Sequence, residues 1–256
     1  MKTVILTGPN GNLGIEILKR LLTSYHVIGI SRSASQIDIS SINQKKNIQG
    51  IYLPINIDLA ENEISEIISQ ISERLKHLNS EPFGLINNAF TSFPNSSLSL
   101  DKIAVMENAE SFLAIHIRLS LEFANLINEK NNASIVNISS IYGKVAPRPN
   151  LYEKIADMNP ILYGSYKAGL IQATKYLSAL LAPKGIRVNT VSYGPFPKNE
   201  IRNSNPEFIK KLASNTHLNR VGNPEEASGI IEFLISNSAS YITGADIPVD
   251  GGWTAW

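Results

Sequence analysis

The sequence contains no cysteine, which excludes disulfides, thiolate metal sites and cysteine nucleophiles. Charged residues make up only 18% of its 256 residues, and the formal net charge is +1. Because no long basic run is present, an electrostatic grip on nucleic acid or on an anionic membrane is not expected. No stretch reaches the roughly 18 consecutive apolar residues of a membrane-spanning helix. We therefore expect a cytoplasmic protein that binds neither membrane nor nucleic acid.

Histidine is also scarce, and no metal site is expected. The four histidines are isolated from one another and show no metal-ligand spacing; they are His26, His77, His116 and His217. The nucleophile elbow Gly-x-Ser-x-Gly of serine hydrolases is absent as well. Neither metal-assisted hydrolysis nor acyl transfer through a serine is therefore favoured.

Short β-rich runs alternate with helical patterns along the whole chain. The strands are expected at Val4–Leu6, Val27–Ile30, Ile51–Ile57, Gly84–Asn87, Ser134–Ile138, Arg187–Val191 and Asp246–Val249. The helices are expected after Gly14, from Ile64 to Ile71, within Ile103–Asn128, and at Tyr163–Leu181 and Pro224–Ile235. Such alternation requires a parallel sheet with crossover helices on both faces. The prediction is one α/β domain over residues 1–256, a three-layer, doubly wound parallel sheet of the Rossmann type.

A glycine-rich turn follows the first strand and precedes the first helix. It reads Thr7-Gly8-Pro9-Asn10-Gly11-Asn12-Leu13-Gly14. Glycine lets the backbone approach a phosphate closely, and the helix N-terminus offers amide donors and a positive dipole end. The candidate cofactor-binding residues of this turn are Gly8, Asn10, Asn12, Leu13 and Gly14. A glycine turn also serves plain strand-to-helix geometry, so this motif does not decide the function alone.

If the glycine turn binds a dinucleotide, the tip of the second strand indicates whether NAD(H) or NADP(H) is preferred. It reads Gly29-Ile30-Ser31-Arg32, and the first acidic residue beyond it is Asp38. A carboxylate at this tip would bind the ribose hydroxyls and repel a 2′-phosphate, whereas arginine does the reverse. Ser31 and Arg32 therefore favour NADP(H) over NAD(H). The alternative is that Arg32 is an ordinary solvated charge.

Tyr163 and Lys167 lie four residues apart on a predicted helix, so the phenol and the ammonium group can face one site. A nearby cation lowers the pKa of an acid by roughly 1–3 units, which would make the phenol a usable acid or base. Ser139 and Ser140 close the fifth strand, at the sheet edge where ligands of doubly wound folds bind. A capping role for the serine is the alternative.

Taken together, these motifs resemble those of the short-chain dehydrogenase/reductase family, in family order and over nearly the full chain. The matching pieces are Thr7-Gly8 with Gly14, Asp58-Leu59, Asn87-Asn88-Ala89, Ile135–Ser140, Tyr163 with Lys167, Gly185–Asn189, Gly194-Pro195, Arg220–Glu226, Ile242–Gly244 and Val249–Gly252. The resemblance implies hydride transfer between a nicotinamide and a carbonyl or alcohol.

The resemblance also implies a role for individual residues. Tyr163 would be the general acid/base, Lys167 would lower its pKa and hold the ribose, and Ser140 would orient the substrate carbonyl. Asp58 would contact the adenine. The further cofactor-lining residues would be Leu59, Asn87, Ala89, Gly194, Pro195 and Phe196.

Several positions depart from the family pattern. Asn12 replaces a glycine usual in the compact branch; the short C-terminal region still favours that branch. Phe90 and Tyr193 add bulk near the expected cofactor site. The family's catalytic asparagine has no clear counterpart, and Asn108, Ser111 and His116 all lie near its expected place.

The segment 141–162 is longer than usual, and we expect it to form a flap beside the substrate. Motifs such as Ser140-Ile141-Tyr142-Gly143 resemble the flagellin-modification and surface-sugar branch, which implies a sugar or an acidic or amino-sugar derivative as substrate. Lys144 and Arg148 could then meet a carboxylate or phosphate, or be solvated loop charges.

Two other functions remain open: a cofactor-binding sensor or scaffold without turnover, and a nucleotide-sugar epimerase or dehydratase that recycles a tightly held cofactor. The family resemblance implies a homotetramer or homodimer. Trp253 and Trp256 are apolar enough to pack at a subunit interface or to fold back on their own chain.

Overall fold

The computed structural model describes residues 1–43, 47–90, 109–127 and 131–256. Its sheet has seven strands: β1 (Thr3–Thr7), β2 (His26–Ser31), β3 (Tyr52–Asn56), β4 (Pro82–Asn87), β5 (Ser134–Ser140), β6 (Arg187–Tyr193) and β7 (Asp246–Val249). They lie in the order β3-β2-β1-β4-β5-β6-β7, and every pairing is parallel. The prediction of a doubly wound α/β fold is therefore confirmed.

Helices cover both faces of the sheet. The described helices are α1 (Gly14–Leu21), α2 (Ile39–Asn43), α3 (Ile64–Leu78), α4 (Ile115–Asn125), α5 (Ile161–Leu181), α6 (Asn199–Ser204), α7 (Pro206–Ala213) and α8 (Ser228–Ile235). One core joins α3, α4 and α5 to the sheet, and the other joins α1 and α8 to the opposite face. Successive residues of β1 serve the two cores in turn, since Ile5 faces the first while Val4 and Leu6 face the second.

A third, smaller core lies beyond the carboxyl ends of the strands. Trp253 is only 2% exposed and packs with Ile141, Leu151, Leu212 and Val221. The first of the two terminal tryptophans thus folds back on its own chain. Trp256 remains 73% exposed and donates a hydrogen bond to the Asn215 carbonyl.

The observed helices differ from the sequence prediction in two ways. A turn of π-helix at Glu110–Ala114 precedes α4, and the start of the predicted helix, residues 103–108, lies outside the described residues. The short helices α2, α6 and α7 are not among the predicted helices, because segments of five to eight residues offer little periodicity. None of the described helices is both long and apolar enough to cross a bilayer.

The third core generates a stability prediction. Trp253→Ala should lower the free energy of unfolding by about 3–5 kcal/mol, because it removes a large buried ring. Trp253→Phe should cost much less, since Nε1 of Trp253 has no hydrogen-bond partner among the described residues. Urea denaturation followed by circular dichroism measures both effects, with the exposed Trp256→Ala as control. An equal loss for the two alanine variants would contradict this packing.

Candidate active site

A cleft of about 610 Å³ opens at the carboxyl ends of the strands. It lies where β1 is flanked by β2 on one side and β4 on the other, so the chain order reverses at this point. Doubly wound sheets bind their ligands at such switch points. The cleft extends from the tip of β2, at Arg32, to Tyr163 and Lys167 on α5.

The glycine turn forms the floor of the cleft. Gly8 has φ of +65°, and a Cβ there would lie 2.9 Å from Ala89 Cα. A Cβ on Gly14 would lie 2.0 Å from the Gly8 carbonyl oxygen, so a side chain cannot fit there either. Thr7 Oγ1 accepts hydrogen bonds from the amides of Asn88 and Ala89, each at 2.9 Å. The turn is thereby held against the loop that follows β4.

The floor fits the pyrophosphate of a dinucleotide. No hydrogen bond joins the backbone amides of Asn12 and Leu13 to another described residue. Both residues line the cleft at the N-terminus of α1. Free amides at a helix N-terminus are a ready site for a phosphate group.

The ribose end of the cleft is polar. Ser31 Oγ donates to Asn10 Oδ1 at 2.5 Å, and Asn10 Nδ2 donates to the Ser33 carbonyl at 2.8 Å. Arg32 is 75% exposed, and its Nε lies 3.9 Å from the Asp58 carboxylate. Leu59 lines the cleft beside Asp58. The exposed guanidinium group of Arg32 at this rim can bind a phosphate group in addition to the pyrophosphate.

At the opposite end, a side-chain hydrogen bond joins Tyr163 to Ser140. Burial raises the pKa of the Tyr163 phenol, and the bond to Ser140 opposes that rise only in part. Ser140 Oγ also accepts a hydrogen bond from the Tyr142 amide at 3.2 Å. The serine therefore caps the turn after β5 and faces the phenol at the same time.

Lys167 completes this group. Its Nζ donates to the Ile138 carbonyl at 2.7 Å and lies 5.9 Å from the centre of the Tyr163 ring. Burial lowers the pKa of Lys167 to about 8. The expectation that the ammonium group lowers the pKa of the phenol is thus wrong: desolvation dominates, raising the pKa of Tyr163 and lowering that of Lys167.

Comparison with known proteins adds to this geometry. A family model described as enoyl-(acyl carrier protein) reductase matches residues 27–254. The chain is 32% identical to a 3-oxoacyl-[acyl-carrier-protein] reductase of Buchnera aphidicola, over 98% of this chain and 96% of that one. It is 37% identical to an NADH-dependent L-xylulose reductase of Ambrosiozyma monospora over 161 residues, 59% of this chain and 56% of the relative. A short-chain dehydrogenase of Leptospira borgpetersenii, solved with bound NAD+, superimposes with a TM-score of 0.82 at 30% identity, covering 99% and 92% of the two chains.

The chain belongs to the short-chain dehydrogenase/reductase family. These relatives are consistent with the compact branch of the family, and they confirm the predicted class of NAD(P)-dependent oxidoreductase.

One family position, the catalytic asparagine, can be compared in part. Of its three candidates, Asn108 lies outside the described residues, and so does the side chain of Ser111. His116 is buried and lines the cleft, and neither ring nitrogen has a well-aligned hydrogen bond among the described residues. Burial, with the nearby charge of Lys167, lowers the pKa of His116 to about 3. A neutral imidazole therefore lines the same cleft as Tyr163 and Lys167.

Two of the residues predicted to line the cofactor, Asn87 and Pro195, do not line this cleft. The Asn87 side chain turns into the interior, where it donates to Asn137 Oδ1 at 2.8 Å and Ser120 Oγ at 3.0 Å. Alternation along β4 explains this, since the next residue, Asn88, faces the cleft instead. Pro195 lies outside the main cleft, and its carbonyl accepts a hydrogen bond from Gly222. The remaining predicted residues, including Ala89, Gly194 and Phe196, line the cleft.

The two bulky departures from the family pattern, Phe90 and Tyr193, each pack against another aromatic ring of the cleft. Phe90 is 55% exposed and packs edge-on against the Tyr163 ring, with ring centres 6.1 Å apart. Tyr193 is buried, its hydroxyl bonds to the Ala227 carbonyl, and its ring meets the edge of Phe196 at 5.3 Å. Both residues that depart from the family pattern thus contribute aromatic surface to the lining of the cleft.

The basic residues of the 141–162 segment do not reach the cleft. Lys144 pairs with Asp246 at 3.2 Å, and Arg148 donates to Asn215 Oδ1 at 2.5 Å. Arg148 also lies over the Trp253 ring, 5.7 Å from its centre. Both cations anchor the segment to the body of the fold and are not available to a substrate anion.

The buried ammonium group generates a prediction about stability. The folded pKa of Lys167 is lowered from 10.5 to about 8, so its charge opposes folding below pH 8, and this penalty disappears as pH rises towards 10.5. Lys167→Met should therefore raise the free energy of unfolding at pH 7 by up to about 3 kcal/mol. The gain should shrink between pH 8 and 10.5.

Thermal and urea unfolding at pH 7, 9 and 10 measure this dependence. Lys175→Met is the matched control, because Lys175 lies exposed on the same helix. A Lys167→Met protein that is less stable than wild type at pH 7 would show that the ammonium group stabilises the fold.

Proposed function

We propose that the protein transfers hydride between NADP(H) and a carbonyl or alcohol substrate, with Ser140, Tyr163 and Lys167 as its catalytic residues. The observation that carries this proposal is the Tyr163–Ser140 hydrogen bond beside Lys167 at the inner end of the cleft. A sensor or scaffold without turnover has no chemical need for this arrangement.

The side chains divide the reaction between them. Ser140 and Tyr163 would bind the substrate oxygen, and a phenol with a raised pKa is fully protonated at neutral pH, which suits donation of a proton during carbonyl reduction. The nicotinamide, when bound, supplies or accepts the hydride. Lys167 would hold the ribose hydroxyls and place its charge near the phenol. The buried imidazole of His116 would line this end as a neutral group.

The preference for NADP(H) rests on the rim of the cleft. The exposed Arg32 guanidinium and the Ser31 hydroxyl flank the place expected for the adenosine ribose. An arginine forms charge-assisted hydrogen bonds with a phosphate. The Leptospira dehydrogenase was solved with NAD+ and the xylulose reductase depends on NADH, but these are properties of those two proteins. In this chain, no carboxylate stands at the β2 tip itself.

For the substrate, we propose a sugar or an acidic or amino-sugar derivative. The segment 141–162 would form the flap over it, and it places Tyr142 near the catalytic phenol. The Tyr142 and Tyr152 hydroxyls lie 3.1 Å apart, and burial together with these neighbouring phenols raises the pKa of Tyr142. Similarity to the xylulose reductase supports a polyhydroxylated substrate. The second candidate is a 3-oxoacyl thioester, favoured by the identity with the Buchnera reductase.

Self-association and a cytoplasmic location remain predictions. Tyr176 and Leu180 are exposed on α5, at 70% and 63%, and Leu121 is exposed on α4. Large apolar side chains in water favour burial against another subunit. A homotetramer or homodimer through this face is therefore our proposal.

The cofactor preference predicts the effect of a single substitution. Arg32→Ala should weaken NADPH binding about tenfold or more, because a charge-assisted hydrogen bond to a phosphate is lost. NADH binding should change less than about twofold, which makes NADH the internal control. Fluorescence titration measures both dissociation constants. Tighter binding of NADH than of NADPH by the wild-type protein would contradict the preference.

The catalytic assignment predicts that Tyr163→Phe lowers kcat by about 10²–10⁴-fold, because the proton donor is removed. Cofactor consumption over a panel of ketoses, acidic and amino sugars, acyl thioesters and steroids measures this loss. Tyr241→Phe is the control, since that phenol is fully exposed and lies outside the cleft.

Each alternative function has its own outcome in this assay. Turnover confined to acyl thioesters or steroids would contradict a sugar substrate. NADPH binding without any turnover would favour a sensor. A purified protein that retains nucleotide and consumes none would indicate an epimerase or dehydratase.

A further inference from the structure

Lys198 is a cation of the cleft to which no function has yet been assigned. It follows the segment after β6, lines the same cleft as the glycine turn, and is exposed. No ion pair joins Lys198 to any described carboxylate. Its ammonium group is therefore available to an anion inside the cleft.

The segment that bears Lys198 is tied directly to the glycine turn. Asn12 Nδ2 donates to the Phe196 carbonyl at 3.0 Å, across 184 positions of the sequence. The ring of Phe196 is fixed between Tyr193 and Gly222, where a Cβ would lie 2.5 Å from a Phe196 ring carbon. Asn12 replaces the glycine usual in the family's compact branch, and its amide joins the two walls of the cleft.

The carbonyl of Pro197 is held as well, by Arg202 Nε at 3.0 Å. The backbone immediately before Lys198 is therefore fixed from two sides. Lys198 lies two residues from the contact with Asn12 and lines the same cleft as Asn12 and Leu13 of the turn.

The other cations of the cleft lie at its ends. Arg32 stands at the β2 tip near Asp58, and Lys167 is bonded to the Ile138 carbonyl deep inside. The turn itself supplies only neutral amides and the partial positive charge, about half a unit, of the α1 N-terminus. The middle of the cleft would thus receive a pyrophosphate without a full counter-charge unless Lys198 supplies one.

We propose that Lys198 binds the pyrophosphate of the dinucleotide from the wall opposite the glycine turn, and that Asn12 is the positioning residue that holds the Lys198 segment there. This assignment rests on the proposed function. It makes the departure at position 12 a feature of cofactor binding, with the Asn12 amide setting the distance between the turn and the ammonium group.

Binding of ADP-ribose tests the role of Lys198, because this ligand carries the pyrophosphate but neither the nicotinamide nor a 2′-phosphate. Lys198→Gln should weaken ADP-ribose binding about tenfold, as expected for loss of a charge-assisted contact, and leave adenosine binding within about twofold. Lys198→Arg should restore most of the affinity. Lys210→Gln is the control, since Lys210 is exposed on α7 outside the cleft.

A double-mutant cycle tests the role of Asn12. Asn12→Ala should weaken ADP-ribose binding, and adding Lys198→Gln to it should cause much less than the tenfold loss seen in the wild-type background. Additive losses would overturn the positioning role. Displacement of bound NADPH, followed by fluorescence, measures all the constants, and circular dichroism verifies that each variant is folded.

The outcomes separate this proposal from the proposed function. A wild-type protein that binds ADP-ribose, with Lys198→Gln binding it equally well, overturns the pyrophosphate contact alone. A rise only in KM for the carbonyl substrate overturns it also, because Lys198 would then face the substrate. A wild-type protein that binds no dinucleotide overturns both proposals.

Discussion

A lysine ammonium group held out of water beside a phenol is the constraint on which the inner end of the cleft depends. The end of β5 and the first turns of α5 must approach closely to hold it. Ser139 Oγ donates to the Lys167 carbonyl at 3.0 Å, and a Cβ on Gly143 would lie 2.8 Å from the Lys167 backbone. Desolvation of Lys167 is unfavourable for folding, and such a cost is usual where a site is built for chemistry. The fold tolerates it because both faces of the sheet bury large apolar cores.

The same sheet brings the glycine turn and the Ser140–Tyr163 pair into one cleft. Parallel pairing places the carboxyl ends of all the strands at a single edge, so the glycine turn after β1 and Ser140 at the end of β5 open on the same side. Thr7 holds the turn against the loop after β4. Asn12 holds it against the segment after β6. The two walls of the cleft are thus joined by side chains as well as by the sheet.

Most of the fold could be predicted from the sequence, because most strands are short apolar runs bounded by turn residues and helices such as α3 have a clear apolar period. The cleft could be predicted in part, since local motifs such as the glycine turn and the Tyr163–Lys167 pair carry their own spacing. Features that depend on contacts between segments distant in the sequence could not be predicted. The inward turn of Asn87, the anchoring of Arg148 by Asn215 and the bond from Asn12 to Phe196 are of this kind. The pKa of Tyr163 belongs with them, because its direction depends on burial that no local pattern records.

The central claim is that the Tyr163 phenol, bonded to Ser140, meets the nicotinamide at the inner end of this cleft. A crystal structure of the protein with NADPH and an unreactive substrate analogue measures it most directly. We expect the nicotinamide ring between Phe196 and Tyr163, with the analogue oxygen within hydrogen-bond distance of both the Tyr163 and the Ser140 hydroxyls. A nicotinamide bound at another place, or a Tyr163 hydroxyl turned away from the analogue oxygen, would contradict the proposed role of Tyr163.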